Sequence, residues 1–174
     1  MGDNDGTSAS AASSGADSSP PTSSAAAEQN LRVDFYVIEG TAAAARLKVA
    51  CRLAEKAYLA SQRALIWHTD RAELEALDDL LWTFADGSFV PHEWLTSNAA
   101  AAEAPVLLSA GPPPAAALDF VVNLAADPPP FLHLTRRIAE IIDGDEGRRR
   151  AGRLRFKAYR ELGVEPATHT LRAE

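Results

Sequence analysis

The sequence predicts one α/β domain in which a mostly parallel, five-stranded sheet is covered by helices on both faces. Three observations predict it. Short β-branched and aromatic runs alternate with longer segments of helical periodicity. Helix signals fall between them, an Asp70/Glu73 capping pair before one helix and Gly163 with Pro166 after another. Gly-Pro and Pro-Pro breaks at 111–114 and 128–130 then separate the later strands.

The first strand is expected over 33–38, Val-Asp-Phe-Tyr-Val-Ile. A helix over 45–60 follows, because Leu47, Cys51, Ala54 and Tyr58 recur at spacings of four, three and four. Cys51 lies on that stripe and reads as a small core residue rather than a nucleophile. The second strand, 63–67, ends at His68-Thr-Asp70. The helix from 71 to about 84 then places Leu74, Leu77, Leu81 and Phe84 on one side. An aromatic loop over 87–95 and an Ala-rich linker lead to strands at 105–109 and 118–124. A short helix over 131–136, a fifth strand over 138–142 and a basic helix ending at Gly163 complete the order.

Composition sets the outer limits. Residues 1–30 are mostly Ser, Ala, Gly, Asp and Pro without an aromatic residue, a segment expected to be a disordered tail ahead of a domain over 31–174. That tail has neither the charged and apolar regions of a secretory signal nor the arginines of a transit peptide. No apolar run approaches the length of a membrane span. A lone cysteine excludes an internal disulfide and any multi-cysteine metal cluster, so a reducing, cytoplasmic setting is expected.

The strand–helix order is Rossmann-like and raises the question of a nucleotide. The first turn reads Ile38-Glu-Gly-Thr-Ala, with no GxGxxG, and no GxxxxGK[ST] occurs anywhere in the chain. Gly40 alone builds no phosphate cradle, and Glu39 would repel an anion. His68, His92, His133 and His169 are scattered without ligand spacing, and Ser109 sits in no nucleophile elbow. His68 and Asp70 read as a strand end and a helix cap. Neither a cofactor nor a metal is expected, and no enzymatic activity.

What the sequence does carry is two surfaces suited to partners. In a chain of net charge -7, the helix GRRRAGRLRFKAYRELG gathers Arg148, Arg149, Arg150, Arg153, Arg155, Lys157 and Arg160. Projected at about 100° per residue, Ala151, Leu154, Ala158 and Leu162 form the stripe expected to be buried. Arg149, Arg153, Phe156 and Arg160 fall on the opposite face, with Lys157 at its edge. A ring among arginines on a solvent face suits an anionic segment with an apolar or aromatic end. An acidic peptide tail and single-stranded nucleic acid both meet that description. The overall negative charge disfavours the second. The other surface combines Trp82, off the apolar stripe of its helix, with Phe89, Val90, Pro91 and Trp94 on the loop after it. Trp and Phe there suit a protein partner.

At these residues the chain resembles the chi subunit of bacterial DNA polymerase III, a clamp-loader accessory protein. The marks are Asp34-Phe-Tyr36, Leu81-Trp82 followed by Ser88-Phe-Val-Pro-His92, and Arg155-Phe-Lys-Ala-Tyr-Arg160. The resemblance runs from Asp34 to about Leu171. It implies a Rossmann-like fold without nucleotide chemistry and a bridging role in replication. By resemblance, Arg149, Arg153, Phe156 and Lys157, with Ile142 as an apolar wall, bind the acidic, phenylalanine-ended tail of single-stranded-DNA-binding protein. Trp82, Phe89, Pro91 and His92 map to the patch for the psi subunit, which connects to the clamp loader, with a DNA helicase as a further candidate for that patch. The chain departs from the family in Phe156, where a tyrosine is usual, and in Arg149, which replaces a lysine. The N-terminal extension and the Ala-rich linker near 98–104 have no counterpart. Direct binding of single-stranded nucleic acid through the basic helix is the competing reading, and a degenerate nucleotide-binding protein the third.

Overall fold

Alternation along β1 (Arg32–Glu39) sets the two sides of the molecule: Val33 and Phe35 point to one core, Ile38 to the other. The computed structural model describes residues 30–95, 102–113 and 117–172. The expected tail therefore lies outside the described residues, as does most of the Ala-rich linker. After β1 come α1 (Ala43–Leu59), β2 (Ala64–Trp67), α2 (Arg71–Leu81), β3 (His92–Trp94), β4 (Val106–Ser109) and β5 (Phe120–Asn123). A 3-10 turn at Leu132–Leu134 precedes β6 (Arg137–Ile142), α3 (Glu146–Glu161) and β7 (Ala167–Arg172).

The sheet has seven strands in the order β3-β4-β2-β5-β6-β1-β7, and every pairing is parallel. All residues of β2, β4 and β5 are buried, as expected for central parallel strands covered on both faces. One face packs Ala50, Cys51 and Ala54 of α1 and Leu74, Leu77 and Leu81 of α2. The other packs Phe131 and, from α3, Tyr159 against Val33, Phe35, Leu65 and Ile138. The three-layer α/β architecture is thus the expected one.

The five expected strands are all present, and two more flank them. β3 is three residues long and lies inside the aromatic segment read as a loop. β7 is an edge strand, Ala-Thr-His-Thr-Leu-Arg, whose residues are mostly exposed, so it lacks the apolar alternation that marks a strand in sequence. α2 stops at Leu81, short of Phe84, and the Asp70 cap forms as expected, accepting from the Ala72 N–H at 2.9 Å. Glu73 does not complete a capping box: its carboxylate turns to Arg46 and His68. Cys51 is fully buried, and burial pushes its thiol up to about 12, which suits a core residue.

Candidate protein-interaction sites

In open parallel sheets, ligands bind beyond the carboxyl ends of the strands, where neighbouring chains turn to opposite faces. Here β1 leads to α1 on one face, and its neighbour β6 leads to α3 on the other. Their following loops close on each other: the Gly144 N–H donates to the Gly40 carbonyl. A Cβ at Gly144 would lie only 2.5 Å from that oxygen, so the close approach requires glycine. A cavity of about 280 Å³ remains nearby, lined by Arg46, His68, Glu73, Arg148 and Arg155 among others. Its charges are already matched within the chain. Arg46 donates to Glu73 and the Leu124 carbonyl, Arg148 grips Asp143 at 2.8 Å, and Arg155 grips Glu140 at 2.8 Å. Burial lowers the pKa of His68, whose Nδ1 accepts from the Asp70 N–H while Nε2 sits 3.2 Å from Glu73. His68 and Asp70 are therefore strand end and cap, held by local bonds. Among the described residues no group of three or more His, Cys, Asp or Glu is placed to hold a metal ion. None of their helices is long and apolar enough to cross a membrane.

The basic helix is positioned by a buried polar cluster. Glu140, on the β6 face toward α3, is fully buried and accepts from Arg155, Asn123 and the Tyr159 hydroxyl at 2.7–2.9 Å. Burial pushes the Glu140 carboxyl upward, and these three donors pull against that. Burial and the adjacent carboxylate together raise the Tyr159 phenol far above its ordinary range, keeping it a hydrogen-bond donor. Removing either partner of the Arg155–Glu140 pair would strand a buried charge, so the pair fixes how α3 is turned.

That cluster corrects the helical projection. The buried line of α3 is Gly152, Arg155 and Tyr159, while Leu154 and Leu162, expected inside, are 64% and 57% exposed. The helix is turned about 90° from the hydrophobicity-based orientation, because an arginine with a buried acid partner occupies the core line. Phe156 consequently does not face open water. It is half-buried, with its ring centroid 5.2 Å from that of Phe35.

Turned this way, one flank of α3 forms a groove against the sheet. Arg149, Gly152, Arg153 and Phe156 make its helical wall; Phe35, Val37, Ile142 and Thr168 complete a cavity of about 240 Å³. Gly152 permits the approach, since a Cβ there would overlap the Ile142 Cδ1. Four of the five residues expected at a tail site, Arg149, Arg153, Phe156 and Ile142, line this one groove. The fifth, Lys157, is exposed beyond Arg153, with its amine 3.7 Å from Glu161. Sequence reasoning missed Phe35, Val37, Gly152 and Thr168. Phe35 and Val37 share a face by simple alternation, which was a usable signal; Thr168 lies on the edge strand that had none.

The charges of α3 divide in an informative way. Arg148, Arg155, Lys157 and Arg160 each have an acidic partner in the chain. Arg149 only approaches the Asp143 carbonyl at 3.4 Å, and Arg153 lies free on the groove wall; among the described residues neither is paired with a carboxylate.

The second expected surface is also assembled. Trp82 and Phe89 are 55% and 60% exposed, with ring centroids 5.6 Å apart. His92 packs under Trp82 at 4.8 Å and donates from Nδ1 to the Val90 carbonyl at 2.6 Å. Its Nε2 lies 3.1 Å from Asp78. Pro91 is half-buried between them in sequence, and Val90 anchors the segment in the core. Two exposed rings thus stand on a rigid base.

The sequence model of the family described as "DNA polymerase III chi subunit, HolC" matches residues 31–167. The chain belongs to the DNA polymerase III chi subunit family. Among chi relatives, the DNA polymerase III subunit chi of Pseudomonas aeruginosa is 40% identical over 140 residues, spanning 80% of this chain and 96% of the relative. That of Haemophilus influenzae is 25% identical over 138 residues, spanning 79% and 95%. Among solved structures, T4 UvsW shares the fold with a TM-score of 0.61 at 10% identity, covering 88% of this chain and 43% of that one. The C-terminal domain of the DEAD-box protein Dbp5 does so at 0.51 and 10%, covering 80% and 91%. These two show the architecture alone. Chi is an accessory subunit of DNA polymerase III, which implies protein partners within that assembly.

Proposed function

We propose that this chi chain tethers single-stranded-DNA-binding protein to the clamp loader, gripping that protein's acidic, phenylalanine-ended tail in the α3 groove. The observation that carries the reading is an apolar slot rimmed by two arginines that pair with no carboxylate among the described residues. The terminal ring would enter between Phe156, Phe35 and Ile142, and the tail's carboxylates would pair with Arg149 and Arg153, with Lys157 one turn further along. Solvent-exposed ion pairs contribute about 0–1 kcal/mol each. A few of them with one buried ring give affinity near ~1 μM, about -8 kcal/mol. Contacts of that strength release as the replisome moves, and several tails on one binder would strengthen the hold.

The Trp82–Phe89 patch, with Pro91 and His92, is the proposed seat of psi, through which chi would join the clamp loader; a DNA helicase would compete for the same rings. The test of the tail site is fluorescence anisotropy with a labelled acidic peptide ending in Asp-Phe. Binding should require the terminal phenylalanine and weaken in Arg153→Ala. Equal binding of a peptide without it, alongside strongly salt-dependent binding of unrelated oligonucleotides, would instead support direct recognition of single-stranded nucleic acid.

A further inference from the structure

The sheet ends on two strands of different kinds. β3, at one end, is three residues long. β7, at the other, pairs with β1 alone through six consecutive residues, without a bulge. Alternate residues of β7 therefore turn their N–H and C=O groups away from the sheet. Among the described residues no hydrogen bond takes those groups up. An open edge of this length is a template for another strand unless something blunts it, and Pro166 lies just outside β7 rather than within it.

The α3 groove opens onto that edge. Thr168 stands beside Phe35 in the β1–β7 register and lines the groove with it. Thr170 and Arg172 share the face of Thr168 by alternation. The charges along this face are unequal. Before the start of β7, Glu161 and Glu165 already meet Lys157 and Arg160. Toward its end, neither Arg149 nor Arg172 pairs with a carboxylate among the described residues.

We propose that the acidic tail seated in the groove continues along β7 as an eighth strand, antiparallel to it, an inference that rests on the tail-binding reading above. The terminal ring enters the slot opposite Thr168. The second and fourth residues before the ring then fall on the ring's face, across from Thr170 and Arg172. Acids at those two positions meet Arg149 and Arg172. A parallel strand would instead carry its acids past Glu165 and Glu161. The tail is thus recognised twice, by its side chains in the groove and by its backbone at the edge. Backbone pairing asks for an extended chain, not for particular side chains, and so tolerates variation between the acids.

Anisotropy titrations of the full chain test this with labelled acidic peptides ending in Asp-Phe. Each peptide carries one backbone N-methyl group, at the second, third, fourth or fifth residue before the ring. Methylation should weaken binding ~5- to 10-fold at alternate positions and less than ~2-fold at those between. The alternation arises because only every other N–H of an added strand faces β7. Arg172→Glu should weaken the unmethylated peptide ~3- to 5-fold, and a lysine at the fourth residue before the ring should recover that loss. Hydrogen exchange at alternate amides of Ala167–Arg172 should slow on binding. A peptide that binds through its terminal ring, yet with neither the alternation nor slowed exchange, would overturn the edge pairing and leave the groove reading intact. An Arg172→Glu loss that the lysine peptide fails to recover would overturn the antiparallel direction. Absence of binding by every such peptide would overturn the tail reading and the edge pairing together.

Discussion

Two polar regions of this molecule lie within a few turns of chain and behave in opposite ways. At the carboxyl ends of the strands, Arg46, Arg148 and Arg155 each meet an acid, and Gly40 and Gly144 seal the turn where a phosphate would sit in a nucleotide-binding relative of the fold. In the α3 groove, Arg149 and Arg153 stand over an apolar slot and pair with no carboxylate among the described residues. Both regions are rich in arginine, so residue type does not separate them. Pairing does: a guanidinium matched inside the chain holds the fold, whereas one left over beside exposed apolar surface is available to a partner's anion.

The contrast is broken most severely at Glu140. Glu140→Ala leaves Arg155 buried without its partner and should cost ~3–5 kcal/mol of stability, read by urea denaturation. A loss under ~1 kcal/mol would mean that the pair does not orient α3. Gly152→Ala tests the groove from behind. The added methyl meets the flexible end of Ile142, so a cost of ~1–3 kcal/mol is expected, together with weaker tail-peptide binding, because the slot narrows. Arg153→Ala should do the reverse of Glu140→Ala. Its stability should stay within ~0.5 kcal/mol of the parent. Peptide affinity should fall by about fivefold to tenfold, ~1–1.4 kcal/mol, in anisotropy titrations.

The smallest effect expected is on acid stability. At Asp143, burial raises the carboxyl, but Arg148 and the Asp145 N–H outweigh it, and the folded value is lowered. Asp34 is lowered likewise: burial is outweighed by His169, Arg32 and Arg137. A lowered folded value means stability present above the unfolded pKa of about 4 and lost as pH falls through the folded values. Thermal unfolding between pH 5 and pH 2 should show this loss, and Asp143→Asn should flatten it. An unchanged slope would show that Asp143 is not among the groups responsible.

Most of the scaffold could be read from the sequence because its strands are short apolar runs and its helices have regular stripes. All five strands whose residues carry that signal were legible. β7 was not, since an exposed edge strand of Thr, His and Arg has nothing to bury. The turn of α3 was misread for a different reason. Hydrophobic periodicity treats Arg155 as solvent-facing, but Glu140, an acid in the middle of the apolar strand Arg-Ile-Ala-Glu-Ile-Ile, pulls it inward. An acid in a buried strand was the available clue that a basic partner must come to it. The groove residues on the helix were legible all the same, because Arg149, Arg153 and Phe156 share one flank however the helix is turned. Its floor depended on contacts between β1, β6 and β7 that no local pattern contains.

The most direct test of the central claim is amide chemical-shift mapping of the full chain during titration with an acidic peptide ending in Asp-Phe. The account predicts the largest shifts at Val37, Gly152, Arg153, Phe156 and Thr168, with Trp82 and Phe89 unmoved. Shifts centred on Trp82 and Phe89, or spread evenly over all arginines of α3, would contradict it.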